Sequence, residues 1–224
     1  IIDILLSFIS LIILFPFLLI VILILLVTGE GEVFYLQVRI GFKNERFKII
    51  KFATMVKNSP KIGTGSLTLR DDPRVLPFGK FLRKTKINEL PQIINVLIGN
   101  MSIVGPRPQM PIDFDKFPPN ARDKIYLSKP GITGIGSVFF RDEEKWISDF
   151  DGDKHNFYKD IIAPYKTDLE LWYLRKKSIF VDLKIIINTA FVIIFPDKNI
   201  SDILFNSLPE CPKNLNNLLN RKGK

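Results

Sequence analysis

The sequence predicts an α/β fold, mostly α with a small sheet, carried behind an N-terminal membrane helix interrupted by proline. Three observations lead there. No charged residue occurs between Ile4 and Gly29. Apolar residues recur at helical spacing in later segments, as at Leu90, Ile93, Ile94, Leu97 and Ile98. Two short runs, Val33–Arg39 and Phe47–Thr54, read as strands joined by a turn that contains Gly41 and Asn44.

The apolar run spans 26 residues. As a helix it would extend about 39 Å at 1.5 Å per residue, more than the roughly 30 Å of bilayer hydrocarbon. A secretory signal has a shorter apolar region and a small-residue cleavage site, which "LLVTGEGEVF" does not offer. Pro16 lies near the middle of the run and removes one backbone hydrogen bond. The residues leave two paths open: a spanning helix with a tolerated kink, or a broken helix that dips into one leaflet and returns. Beyond the run, 32 basic residues stand against 22 acidic ones, which places the polar part on the cytoplasmic side of a membrane.

Lys57 to Gly79 is rich in Gly, Pro and Ser and reads as a mobile loop. A short basic helix follows at Gly79–Lys84. Asn88 is placed to cap the next helix, with Pro91 acceptable in its first turn and Gly99 as its stop. "PGITGIGSVFFR" reads as a glycine-rich turn and a strand, and Asp160–Lys176 as a helix. In "SIFVDLKIIINTAFVIIF", Phe180, Val181, Ile185, Thr189 and Val192 recur near helical spacing, which suits either a core helix or one on a membrane surface. The expected organisation is a membrane helix over 1–29, a cytoplasmic domain with interfacial helices over 30–205, and a polar tail over 206–224.

The net charge of +9 calls for an anionic partner: nucleic acid, phosphorylated small molecules or anionic lipid. Nucleic acid is set aside, because no binding motif or patterned aromatic platform is present. One cysteine, Cys211, cannot form an internal disulfide, and one histidine, His155, excludes a histidine-pair metal site. The acidic run at Asp149, Asp151 and Asp153 superficially resembles a calcium loop, but its glycine falls at the fourth position instead of the sixth, so it reads as a hydrated surface loop. There is no Walker loop and no GxGxxG element.

The candidate chemistry gathers around "KTKINELPQIINVLIGNMSIVGPRP". A helix start offers unpaired N–H groups to an anion, with Arg83, Lys84 and Lys86 nearby in sequence. Arg107 is held between two prolines, and a guanidinium meets phosphate oxygens as a planar fork. Lys51, Arg83, Arg107 and Arg141 together would make a diphosphate pocket.

"KFATM", "DDPRVLPFGKFLRKTKINELPQIINVLIGNMSIVGPRP" and "KPGITGIGSVFFR", in this order behind an apolar run, resemble the bacterial sugar transferase family, the monotopic phosphoglycosyl transferases that use polyprenyl phosphate. The resemblance extends to about Phe195. It implies transfer of a sugar-1-phosphate from a UDP-sugar to undecaprenyl phosphate, giving UMP and a polyprenyl diphosphate sugar, the first membrane step of glycan assembly. It also implies magnesium (Mg2+) as cofactor and a bacterial inner-membrane location with the polar part cytoplasmic. Membrane lipids, a second copy of the chain and downstream glycosyltransferases are the implied partners. The N-terminal helix would be re-entrant, although the family's Ser-Pro break is Phe15-Pro16 here.

One departure bears on chemistry. The family's dyad is Asp-Glu, with Asp as nucleophile and magnesium ligand, whereas this chain has Asn88-Glu89. Asn100 likewise replaces an Asp of the family's "GDMS". A carboxamide caps a helix as well as a carboxylate does, yet it has no anionic oxygen with which to attack phosphorus. Three accounts follow: Glu89 acts as nucleophile or base; the chain is disabled, or a natural pseudo-enzyme; or lipid phosphate attacks directly while Glu89 helps hold magnesium. The rival function is a non-catalytic, membrane-anchored scaffold that binds nucleotide sugars or lipid.

Overall fold

The computed structural model describes residues 2–62, 72–195, 200–216 and 219. Residues 63–71, the middle of the connection expected to be a loop, and residues 217, 218 and 220–224 of the expected tail lie outside the described residues. Two compact units divide the chain, one from residues 1–39 and 46–103, the other from 40–45 and 104–224.

The first unit opens with α1 (Ile2–Val27), a single helix that contains Pro16. Its apolar content is nearly continuous, so propensity alone cannot say which side packs. Ser7, Leu18, Val21 and Leu25 mark the covered side, while Ile12, Ile13, Phe15 and Ile20 stay exposed. It is long and apolar enough to cross a membrane. β1 (Phe34–Ile40) and β2 (Arg46–Phe52) form a two-stranded sheet. The bend between them passes through Lys43 and Asn44, both with positive φ, a conformation Asn tolerates better than most residues. Leu18, Val21 and Leu25 meet Phe52 of β2 and Leu82 of α2 (Pro77–Lys84) in one apolar cluster. Gly79 lets α2 approach closely, since a Cβ there would lie 2.2 Å from the Thr54 carbonyl oxygen.

A 3-10 turn over Ile87–Glu89 leads to α3 (Gln92–Leu97), which ends before Gly99 at φ +84°. The expected helix is therefore shorter at its start. Asn88 does not cap it: Lys86, at φ 59°, precedes the turn, and the Asn88 side chain makes no capping hydrogen bond. The buried side also differs from the apolar repeat, running through Gln92, Ile93, Asn95 and Val96 and leaving Ile98 exposed. Asn95 explains the rotation. Its Oδ1 accepts from Ile50 N–H at 2.9 Å and its Nδ2 donates to Lys48 C=O at 2.8 Å, so a side-chain amide satisfies the backbone of β2 as a neighbouring strand would.

The second unit takes over at the end of β3 (Ser102–Val104) and continues with α4 (Pro111–Phe114), α5 (Pro119–Ile125) and β4 (Gly131–Thr133). β4 pairs with the end of β3, where Gly105 N–H donates to Thr133 C=O at 2.9 Å. Next come α6 (Ile135–Phe139), α7 (Glu143–Asp149), α8 (Lys154–Phe157), a π turn over Tyr158–Ile162, α9 (Ala163–Lys176) and α10 (Ile179–Ile194). The strand expected within "PGITGIGSVFFR" is β4, at Gly131–Thr133, and the second half of that segment is the helix α6. Its β-prone residues are overridden by burial, because Ile135, Gly136, Val138 and Phe139 are covered and α6 packs on α9. Asp153 caps α8 by accepting from His155 N–H and Asn156 N–H at 2.8 and 3.1 Å, which gives the acidic loop a structural role. On α10, Ile185, Asn188 and Val192 are buried and Phe180, Ile187 and Ile194 form an exposed apolar stripe. The remaining described helices are short, α11 (Ser201–Leu204) and α12 (Lys213–Asn216).

Candidate active site

In the first unit the structure brings two of the expected residues together. Lys51, near the end of β2, and Glu89, at the end of the 3-10 turn, form an ion pair at 3.1 Å. Their side chains are 14% and 16% exposed, so the pair is shielded but reachable. The placement follows from local structure. The Asn95 amide fixes α3 against β2, and the 3-10 turn packs on both β2 and α2. Such a pair has enough water contact to avoid the full desolvation cost of a buried ion pair, and enough shielding for its attraction to matter.

Asn88 points inward. It is buried, and its Oδ1 has no hydrogen-bond partner among the described residues. A buried amide oxygen without a donor costs about 1–3 kcal/mol, so this oxygen stands ready for a proton donor or a cation. Glu89 and Asn88 together offer one carboxylate and one neutral oxygen. Magnesium commonly binds through one or two carboxylates plus substrate phosphates and waters, and the two side chains fit that pattern. Among the described residues no group of three His, Cys, Asp or Glu could hold a metal by itself. Arg83 lies half-buried in the last turn of α2, on the helix that packs against the Ile87–Glu89 turn.

Arg107 and Arg141 belong to the second unit. Arg107 occupies a segment whose backbone is pinned residue by residue. Pro106 C=O accepts from Gly131 N–H at 3.0 Å. Arg107 C=O accepts from the Tyr126 hydroxyl at 2.8 Å, and Gln109 N–H donates to the same hydroxyl at 2.9 Å. Ile40 N–H closes the series on Gln109 C=O at 2.9 Å. Gly105 is required at the entry, since a Cβ would lie 2.3 Å from the Lys129 carbonyl oxygen. Arg141 instead donates to Val192 C=O in the last turn of α10, where cationic groups are favoured by the helix dipole.

Sequence reasoning passed over Glu170 and Lys166 of α9. Both are buried, at 2% exposure each. Lys166 pairs with Glu143 of α7 at 2.6 Å, and its ammonium lies 5.4 Å from the centre of the Phe140 ring. Glu170 Oε1 accepts from Arg107 N–H at 3.4 Å, and Oε2 has no hydrogen-bond partner among the described residues. Burial pushes the Glu170 carboxyl up to about 7, against the opposing pull of the Arg107 N–H, Lys166 and the Arg107 charge. Burial, aided by Glu143 and Asp113, also holds the Tyr158 hydroxyl well above the usual phenol range. The signal in the sequence was a pair of charges four apart, Lys166 and Glu170, on the helix side that also carries Ala163, Thr167 and Tyr173.

A helix long and apolar enough to cross a membrane, in the same unit as a shielded carboxylate–ammonium pair, fits the class of membrane-associated proteins with polar chemistry beside an apolar segment. Comparison with known proteins gives that class its family. The model of the family "Bacterial sugar transferase" matches residues 1–196, and the chain belongs to that family. It is 31% identical over 185 residues to the exopolysaccharide production protein ExoY of Sinorhizobium fredii, covering 74% of this chain and 81% of that protein. It is 36% identical over 175 residues to the galactosyl transferase CpsE of Streptococcus agalactiae, covering 73% of this chain and 35% of that one. It is 34% identical over 193 residues to the UDP-glucose:undecaprenyl-phosphate glucose-1-phosphate transferase of Klebsiella pneumoniae, covering 84% of this chain and 38% of that one. The matched region thus spans most of the first relative and little more than a third of the other two.

Proposed function

We propose that the chain transfers a sugar-1-phosphate from a UDP-sugar to undecaprenyl phosphate, releasing UMP and initiating a glycan. The observation that carries this reading is the Lys51–Glu89 pair in the unit anchored by α1, in a chain whose relatives include a transferase named for that reaction. Glu89 is the acting carboxylate. Its oxygen attacks the sugar-bearing phosphorus, the bond to the bridging oxygen breaks, and UMP leaves with that oxygen. An oxygen of undecaprenyl phosphate then attacks the same phosphorus and restores the free carboxylate. Splitting the transfer in this way is nucleophilic catalysis, and the remaining task is to place and neutralise phosphate charge. Lys51 and Arg83 of the first unit are assigned to phosphate oxygens. Magnesium, held by Glu89 and Asn88 Oδ1, would supply further neutralisation of the diphosphate.

We also infer a monotopic anchor on the cytoplasmic face. Near the start of α1, Asp3 accepts from the Ser102 hydroxyl at 2.7 Å and from Ile103 N–H at 3.3 Å. Near its end, Leu25 packs in the cluster with Phe52 and Leu82. Two ends tied to one folded unit favour a helix that enters and leaves on one side, and Pro16, which frees a carbonyl, is the natural bend point. The exposed stripe of α10 suits a membrane surface.

The test is UMP release from a panel of UDP-sugars, with magnesium and with or without undecaprenyl phosphate, for the chain as it stands and for Asn88→Asp. A stoichiometric burst of UMP without acceptor, lost in Glu89→Gln, is the expected result. Release only with acceptor would assign direct attack. Binding of UDP-sugar with no UMP from either form would replace the transferase with the scaffold.

A further inference from the structure

We propose that the outer edge of β1 pairs antiparallel with the same edge of a second copy of the chain, joining two hairpins into one four-stranded sheet. The register of the hairpin decides which groups point outward. Gly41 N–H donates to Glu45 C=O at 2.8 Å and Ala53 N–H to Val33 C=O at 2.9 Å, so the odd-numbered residues of β1 bond to β2. In an antiparallel ladder the alternate residues turn their N–H and C=O groups away, which puts those of Phe34, Leu36 and Val38 on the outer edge. Ile40 follows the same alternation, its N–H pointing outward to Gln109 C=O at 2.9 Å. Phe34 stacks on Phe52, the residue opposite it on β2, with 5.6 Å between ring centres.

The two outer edges of this sheet are finished differently. That of β2 is closed by Asn95, which bonds Ile50 N–H and Lys48 C=O. On the β1 edge, the outward groups of Phe34, Leu36 and Val38 have no hydrogen-bond partner among the described residues. The side chains of the same three residues share one face of the sheet and are 42%, 52% and 40% exposed. An open, apolar edge strand is a template for another strand. A bilayer would cover the side chains but leave the outward N–H and C=O groups unsatisfied in hydrocarbon. A strand covers both.

Charge selects a second copy as that strand. Copies of a chain with a net charge of +9 repel one another, yet Val33–Val38 carries no charge, with Glu30 and Glu32 before it and Arg39 after it. Antiparallel pairing about a two-fold axis at Leu36 sets Phe34 opposite Val38 and Leu36 opposite its own copy, apolar on apolar. It also brings the acidic end of each strand beside the basic end of the other. Glu32 holds Lys57 at 3.0 Å and Arg39 holds Gln37 at 3.1 Å, so this attraction acts at a distance and sets strand direction more than affinity.

The experiment is sedimentation of the full chain in detergent, which should show a monomer–dimer equilibrium. Leu36→Pro removes an N–H that points away from β2, so it spares the hairpin's own bonds. It should raise the dimer dissociation constant about 30-fold, for two hydrogen bonds lost per dimer. Leu36→Lys, which sets like charges opposite each other, should raise it at least about tenfold. Cross-linking reads the register without depending on either variant. In a Cys211→Ser background, Leu36→Cys should give a disulfide-linked dimer on mild oxidation, because the paired Cα atoms would lie about 5.5 Å apart. Lys48→Cys, one strand further in, should give none, since three strand spacings separate the two copies by about 14 Å. A monomer at every concentration with no Leu36→Cys cross-link would overturn the proposal. So would a dimer that neither substitution weakens. Loss of binding to phosphatidylglycerol vesicles in Leu36→Lys, with association unchanged, would overturn it too and give the surface to the membrane. UMP release enters none of these outcomes, so the transfer reading is decided separately.

Discussion

Two glutamates, each near a lysine, have been given opposite electrostatic settings. Glu89 keeps its lysine: Lys51 lies 3.1 Å away, and both side chains remain partly open to water. Glu170 has lost its lysine to Glu143 and is closed in between an amide and a glycine backbone. The residue type is the same in the two places. The difference comes from burial and from competition for the cation, the two factors that decide whether a carboxyl is charged. One setting keeps a carboxylate beside its cation; the other, by burial, pushes a carboxyl toward its protonated form.

The comparison can be broken most directly at Glu89. Glu89→Ala should lower UMP release by at least about 100-fold, the lower end of what a positioned catalytic group contributes, and a smaller loss would remove Glu89 from the chemistry. The next effect is on stability. The Glu170 carboxyl rises from 4.5 to about 7 on folding, so the folded chain holds a proton there that the unfolded chain has released. Stability should fall as pH rises from about 4.5 to 7 and level off above, by at most about 3 kcal/mol at 1.36 kcal/mol per unit. Denaturant unfolding at pH 5 and 8 should show that drop in the wild type and not in Glu170→Gln. Asn95→Ala removes both hydrogen bonds that hold α3 on β2, and should cost about 2–3 kcal/mol with a rise in KM as Glu89 loosens. Asp153→Ala, remote in role from either glutamate, should cost about 1 kcal/mol through the lost cap and leave transfer unchanged.

How far the sequence could be read depended on whether a feature was decided locally. The hairpin was legible because turn residues and β-prone runs act within a few positions, and its strands fall within two residues of expectation at either end. Gly99 was legible for the same reason, as a positive-φ stop. α3 was misjudged at its start and in its buried side because its orientation is set by Asn95 reaching a strand more than 40 residues away. α6 was misjudged because contact with α9 outweighs β propensity. Of the site, Glu89 and Lys51 were legible as candidates, but their pairing needs the turn, α3 and β2 to be in place. Glu170 was not legible. A charged residue on a helix reads as solvated unless one already knows which side of that helix is covered.

The π turn at Tyr158–Ile162 has a consequence for how this region can change. A π turn accommodates one residue more than an α turn does. Removing one position there would let the segment relax to ordinary α-helix, and because the extra residue is taken up within the π turn itself, the turns on either side would keep nearly their present directions. Tyr158 and α8 on one side and Lys166 and Glu170 on the other would go on facing as they do. A single codon deletion at this one place is thus a change in length that the surrounding helix can absorb, where the same deletion inside α9 would turn every preceding residue by about 100°.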